Sequence, residues 1–200
     1  KDGVWIDSQV AKAPTLVERV KEVDARVGRC RIIELQPNSY ADALYNSHLD
    51  DNNRRNPDGE GWVIRQFMQL TDNPNSYMIL REDIDDPSTE TRLALPAGAQ
   101  LVVDSERMWH SVWHVGNEPR YCLITSYTSG PELDSWIAAH NPVPRVDVAP
   151  LDPEFAAAAE ATAQKRRDDR AAALAARGAD PTFGDGSLSA GSMTEVLSEA

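Results

Sequence analysis

Short runs of alternating apolar and polar residues fill the chain from about Tyr40 to Tyr127. In WVIRQFMQL (62–70), an extended backbone puts Arg65, Phe67 and Gln69 on one face and Ile64, Gln66 and Met68 on the other, the two-residue period of a β-strand. SYMILRE (76–82), AQLVVDS (99–105), SVWHV (111–115) and RYCLITSY (120–127) predict further strands. The polar stretch DIDDPSTET (83–91) predicts a turn before RLALP. Gly59, Gly61, Pro74, Pro96, Gly98, Gly116 and Pro119 separate these runs as turn residues. Several short strands without a helix between each pair predict a mainly β fold, an antiparallel sandwich or barrel such as a jelly roll.

The two ends read differently. Leu16, Val20 and Val23 recur at helical spacing and predict a helix over 13–28, with Gly28 as a left-handed stop. RCRIIEL (29–35) predicts a strand closed by Gln36-Pro37-Asn38. PELDSWIAAH (131–140) predicts a short helix, and 141–153 is a Pro-rich linker. Residues 154–178 are Ala-rich and predict a long helix. Its apolar face is weak, with Phe155 and Leu174 its large apolar side chains, and its KRRDDR run reads as a solvated face. Residues 179–200 are rich in Gly, Ser, Ala and Asp and read as a flexible tail. The expected organisation is a domain over 1–150 that includes the N-terminal helix, a helical arm over 151–178, and the tail. The arm is expected either to close over a site or to build a homodimer.

Composition narrows the partners. The 200 residues include 20 Lys+Arg and 32 Asp+Glu, a net charge of −12. A nucleic-acid binder neutralises phosphates with Lys and Arg, so this balance argues against DNA or RNA, and equally against anionic membrane surfaces. No run is long and apolar enough to predict a transmembrane helix, and the first ten residues carry no apolar signal core. The sequence opens on Lys1, which leaves room for a segment upstream. Two cysteines, Cys30 and Cys122, are too few for a disulfide framework or a zinc ribbon, so a reduced cytoplasmic location is the expectation.

The candidate chemistry lies in the histidines. In His48-Leu49-Asp50 an extended backbone presents an imidazole and a carboxylate on one face. One distant imidazole would complete a two-His, one-carboxylate set, which occupies one face of an octahedral ion and leaves the other positions open for non-haem Fe(II) chemistry. Taken alone, His48 and Asp50 read more readily as a solvated turn, Asp50-Asp51-Asn52-Asn53, than as ligands. His110 follows about sixty residues later, and Arg120 stands ten positions further on at the start of an apolar strand. A guanidinium there suits a carboxylate, which it can hold with two parallel hydrogen bonds.

This pattern of HxD, distant His and following Arg resembles the 2-oxoglutarate and Fe(II)-dependent dioxygenase superfamily. The run from Arg65 to Asn73-Pro74, then LPAGAQLVVDS before His110, then NEPRYCL, resembles its aspartyl/asparaginyl β-hydroxylase-like branch, which includes free-standing proline hydroxylases. The resemblance covers about residues 40–128. It departs at Cys122, where many members carry Ser, and at Phe67, where the branch often has His.

The resemblance implies a double-stranded β-helix (jelly-roll) core. It implies His48, Asp50 and His110 as Fe(II) ligands and catalytic centre, Arg120 as the partner of the distal carboxylate of 2-oxoglutarate, and Arg65 with Gln69 as further co-substrate contacts. It also implies O2 as oxidant, release of succinate and CO2, and hydroxylation rather than halogenation, because Asp50 is present. The expected substrate is a free amino acid or an amino-acid-derived small molecule, with Arg54, Arg55 and Trp113 as candidate contacts; packing is the alternative for Trp113 and a solvated loop for the two arginines. Two competitors stand: a non-catalytic jelly-roll binding protein, and a cupin-type oxygenase that needs no 2-oxoglutarate and uses His114 as an extra ligand. Leu101 occupies the place where a usual second cupin motif has His. His140 reads as a surface or capping residue.

Overall fold

The computed structural model describes residues 4–53, 61–140, 148–176 and 193–195. Among the described residues there are eight strands: β1 (Val27–Leu35), β2 (Val63–Gln69), β3 (Ser76–Arg81), β4 (Thr91–Ala94), β5 (Gln100–Val103), β6 (Trp109–His114), β7 (Arg120–Thr128) and β8 (Met193–Glu195). The helices are α1 (Asp7–Val10), α2 (Pro14–Lys21), α3 (Tyr40–Tyr45), α4 (Pro131–His140) and α5 (Pro153–Ala176). One sheet has the order β5-β2-β7-β1-β8 and the other β4-β3-β6. Every pairing is antiparallel.

The alternation read in β2 sets the layers. Arg65, Phe67 and Gln69 stand opposite Ser126, Ile124 and Cys122 of β7. Phe67, Cys122 and Ile124 join Ile33 of β1, Met78 of β3, Leu95 and Val103 of β5 in one buried cluster, so both sheets share a core. The opposite face of the larger sheet carries Met68, Leu123 and Tyr127, which pack against Val20, Val23 and Leu133. That second cluster is where α2 and α4 dock.

The N-terminal helix is shorter than its spacing predicts. It ends at Lys21, and Asp24, at φ 58°, makes the left-handed turn expected of Gly28. Asp is among the few non-Gly residues that tolerate this conformation. β1 therefore begins at Val27 and includes Gly28. The tail also departs from expectation, since Met193–Glu195 pairs with β1 from Ile33 to Leu35.

The Ala-rich arm packs on the core. Ala159 and Ala163 of α5 are buried with Tyr40, Ala43, Leu44 and Ile79. Two buried methyls contribute only on the order of 1–2 kcal/mol, so polar clamps matter here. Arg167 donates to the Leu44 carbonyl at 3.3 Å, Arg166 pairs with Asp42, and Glu160 pairs with the buried Arg81. Part of the KRRDDR run is thus spent on holding α5 to α3, not on a solvated face. Among the described residues, no helix is long and apolar enough to cross a membrane.

Candidate metal centre

The site begins with α3. Its N-terminus is a capping box, in which the Ser39 hydroxyl accepts from the Asp42 backbone N–H and the Asp42 carboxylate accepts from the Ser39 N–H. Just before it, the Asn38 side chain reads the open edge of β6. It donates to the Val112 carbonyl at 2.8 Å and accepts from the His114 N–H at 2.7 Å. The chain leaves α3 at Asn46 and runs beside β6, where His48 and His110 exchange backbone hydrogen bonds of 3.2 and 3.0 Å. Two residues on, the Asp50 N–H donates to the Ser105 carbonyl at 2.8 Å.

The extended segment and strand β6 therefore bring together three donors remote in sequence. One ligand atom from each of His48, Asp50 and His110 lies within 4.8 Å of the other two. His48 Nε2 is 3.9 Å from Asp50 Oδ1, and His110 Nε2 is 3.8 Å from Asp50 Oδ2. The imidazole centroids are 4.4 Å apart. Each Nδ1 faces a carbonyl, that of Asn46 at 3.0 Å and that of Met108 at 3.2 Å. A carbonyl only accepts, so both Nδ1 atoms carry the proton and both Nε2 lone pairs are directed at the carboxylate. This is the outer-shell arrangement typical of metal-ligating histidines. Burial, and then the neighbouring His48, push the His110 pKa down to about 4, partly offset by Asp50. Its ring is neutral at physiological pH, the state a ligand requires.

Asp50 is nearly enclosed, and its Oδ2 has no hydrogen-bond donor. Arg65 Nε lies 2.9 Å from that oxygen but is not aligned to bond it. Arg65 instead donates through its terminal nitrogen to Asn52 Oδ1 at 3.0 Å. A buried carboxylate oxygen with a spare lone pair beside two directed imidazole lone pairs fits a divalent cation.

The segment after Asp50 is not the solvated turn offered as the alternative reading. Asn53 is buried, exchanges hydrogen bonds with Val63 at 2.7 and 3.1 Å, and donates to Glu106 from its backbone and side chain. These bonds tie the carboxylate-bearing segment to the start of β2. The sequence does not mark the positioning roles of Asn53, Ser105 and Asn38, because single polar residues at such places carry no period.

The remaining expected site residues fall in different places. Arg120 is buried at the start of β7, opposite Leu35, and its Nη2 has no hydrogen-bond partner. Burial pushes the neighbouring Cys122 thiol up to about 11, only partly countered by Arg120, so no thiolate balances the guanidinium at neutral pH. Cys122 and Ile124 lie between Arg120 and Ser126, the residue opposite Arg65. Gln69 is buried beside Cys122, 3.6 Å from its sulfur, with Oε1 unpaired. Trp113, read either as packing or as a substrate contact, alternates away from His110 and packs against Tyr40 at 5.1 Å and Tyr77 at 5.4 Å. His114 has both ring nitrogens engaged, Nδ1 with Ser76 Oγ at 2.7 Å and Nε2 with the Glu118 carbonyl at 2.7 Å. It is a fully buried strut, not an extra ligand. His140 is exposed and capped by its own helix through the Trp136 carbonyl at 2.8 Å. Arg54 and Arg55 lie outside the described residues.

Beside Asp50, a cavity of about 490 Å³ opens between β1, β2 and β7, lined among others by Arg26, Arg29, Arg31, Arg65, Asp51 and Ser126. Burial lowers the Arg65 pKa, Asp50 raises it, and the charges of Arg31 and Arg29 lower it further.

No protein-family model and no curated protein matches the chain. Solved structures match weakly. One is an E. coli (strain K12) protein at TM-score 0.37 and 13% identity, covering 52% of this chain and 91% of that one. A second is hydroxypropylphosphonic acid epoxidase from S. wedmorenis in complex with fosfomycin, at 0.32 and 12%, covering 50% of this chain but 43% of that one. A third is SnoN, a non-heme alpha ketoglutarate dependent epimerase from nogalamycin biosynthesis, at 0.30 and 14%, covering 72% and 66%. Scores this low leave the fold family and the chemistry to be argued from the chain's own residues.

Proposed function

We propose that the chain is a mononuclear non-haem iron(II) oxygenase on a double-stranded β-helix, which hydroxylates a small amino-acid-derived molecule with 2-oxoglutarate and O2 as co-substrates. The observation that carries this reading is the convergence of the His48, Asp50 and His110 donor atoms within 4.8 Å. Two imidazoles and one carboxylate suit Fe(II) and leave half of an octahedron open. Bound there, Fe(II) supplies the O2-dependent oxidation of an unactivated C–H bond.

The protein's own residues do the rest. The Asn46 and Met108 carbonyls hold the two Nδ1 protons and so point each Nε2 inward. Arg65 lies beside Asp50, its Nε 2.9 Å from Oδ2. The apolar wall of Phe67, Cys122 and Ile124 excludes water from the interior side. Arg120, buried with an unpaired nitrogen, is the assigned anchor for the distal carboxylate of 2-oxoglutarate, because a buried guanidinium calls for an anion. The branch of amino-acid hydroxylases is the one its residues from Arg65 to Asn73-Pro74 resemble.

Anaerobic titration tests the reading in steps. Fe(II) should bind one per chain, and later addition of 2-oxoglutarate should raise a weak visible charge-transfer band. Iron binding without that band would remove 2-oxoglutarate and leave an iron protein of another kind. Failure to bind iron at all would leave a binding module.

A further inference from the structure

The cavity beside Asp50 holds more than the metal reading uses. Four guanidinium-bearing residues, Arg26, Arg29, Arg31 and Arg65, line it against one carboxylate among the described lining residues, Asp51. This cationic concentration arises in a chain of net charge −12. Gathering like charges around one space costs Coulomb energy, and clefts of a single sign focus field on an oppositely charged ligand. β1 contributes two of the four, Arg29 and Arg31, with Arg26 just before it, and its pairing with β7 shifts register between Val27 and Cys30. Such bulges re-aim side chains at barrel rims and beside active sites. Arg29 and Arg31 also interact within the protein. The volume of about 490 Å³ lies within the range of small-molecule sites.

We infer that this cavity seats the anionic end of the substrate, a small molecule that carries two negative charges on oxygen as a phosphonate, a phosphate or a carboxylate pair, held by Arg29 and Arg31. Calling that molecule the substrate rests on the proposed oxygenase; the anion seat itself rests only on the cavity and its charges. Arg65 joins the two sites, since it lines the cavity and lies 2.9 Å from Asp50. The substrate's charged end would thereby be fixed beside the metal ligands and its carbon chain directed toward them.

Calorimetric titration of the chelator-treated full chain with methylphosphonate, glutarate and neutral glutaramide tests the seat without metal or turnover. Methylphosphonate or glutarate should bind and glutaramide should not, and salt should weaken the binding. Arg31→Gln should weaken it by roughly tenfold or more, since charge-assisted bonds are the strong ones. Arg29→Gln, at an exposed position, should also weaken it and guards against misfolding of the first variant. His48→Ala should keep anion binding while losing iron, so the seat and the oxygenase reading fail separately. Glutaramide binding as well as glutarate, or unchanged affinity in both Arg variants with native circular dichroism, would overturn the proposal. In the iron-loaded protein, methylphosphonate should leave the affinity for 2-oxoglutarate within about twofold. Competitive displacement would make the cavity the co-substrate's seat and refute the assignment to substrate.

Discussion

Two clusters of buried charge lie in this fold, and they are finished to different degrees. Around Arg81, which is 1% exposed, each guanidinium nitrogen has a partner. Nε and Nη2 donate to Glu90 at 3.0 and 2.7 Å, Nη1 to the Ile84 carbonyl at 3.1 Å, and Nη2 also to Glu160. Tyr40 donates its hydroxyl to the same Glu90. Around Asp50 the opposite holds: Asp50 Oδ2, Arg65 Nε, Asn52 Nδ2 and Ser105 Oγ are buried without hydrogen-bond partners. Burial of a charge is costly unless it is paired and bonded. Saturation therefore marks the joint that fastens α5 to β3, and unspent bonding capacity marks the place where a ligand belongs.

The comparison can be broken most directly at the carboxylate. Asp50→Ala should abolish iron binding, and it should cost far more activity than the about 10- to 100-fold that loss of an outer-shell partner costs; iron assay and succinate release measure both. Arg81→Met should do the reverse. It leaves Glu160 without its cation and Glu90 with Arg92 alone, so denaturant unfolding should show a loss of about 3 kcal/mol, while the iron-to-protein ratio of the folded fraction stays unchanged. Were Arg81→Met to lose iron at full stability, the division between the clusters would fall. Tyr40→Phe removes one hydrogen bond to a charged group and should cost about 1.5 kcal/mol in the same assay.

The smallest effect is expected at Asp42, where α5 meets α3. Burial pushes its carboxyl up, but the Ser39 hydroxyl and N–H and the Arg166 guanidinium outweigh burial and hold it below its ordinary value of 3.8. Its stabilising contribution is therefore full above that value and is lost as pH falls below it. A thermal-midpoint profile in acid should show this limb, and Asp42→Asn should flatten it.

Much of this arrangement is legible in the sequence where a period or a spacing exists. The alternation in 62–70 places Arg65, Phe67 and Gln69 on the inner face, and the separation of His48, Asp50 and His110 identifies donors that the fold does bring together. What stays hidden is set by single contacts. Asp24 stops α2 because its backbone tolerates a positive φ, and no hydrophobic pattern records that. Arg81 reads as the end of a strand, and its burial depends on Glu160, seventy-nine residues away. Arg29 and Arg31 of β1 share a strand face by their spacing, but the sequence does not show that this face meets Arg65 of β2 at one cavity.

The reciprocal backbone bonds between His48 and His110 carry one more consequence. They join backbone to backbone and need no ion, so the bite between the imidazoles is a property of the sheet and not of the guest. Most of the ordering entropy of chelation is then spent in folding. Cations that demand a different angle should be turned away by a scaffold that cannot flex to meet them.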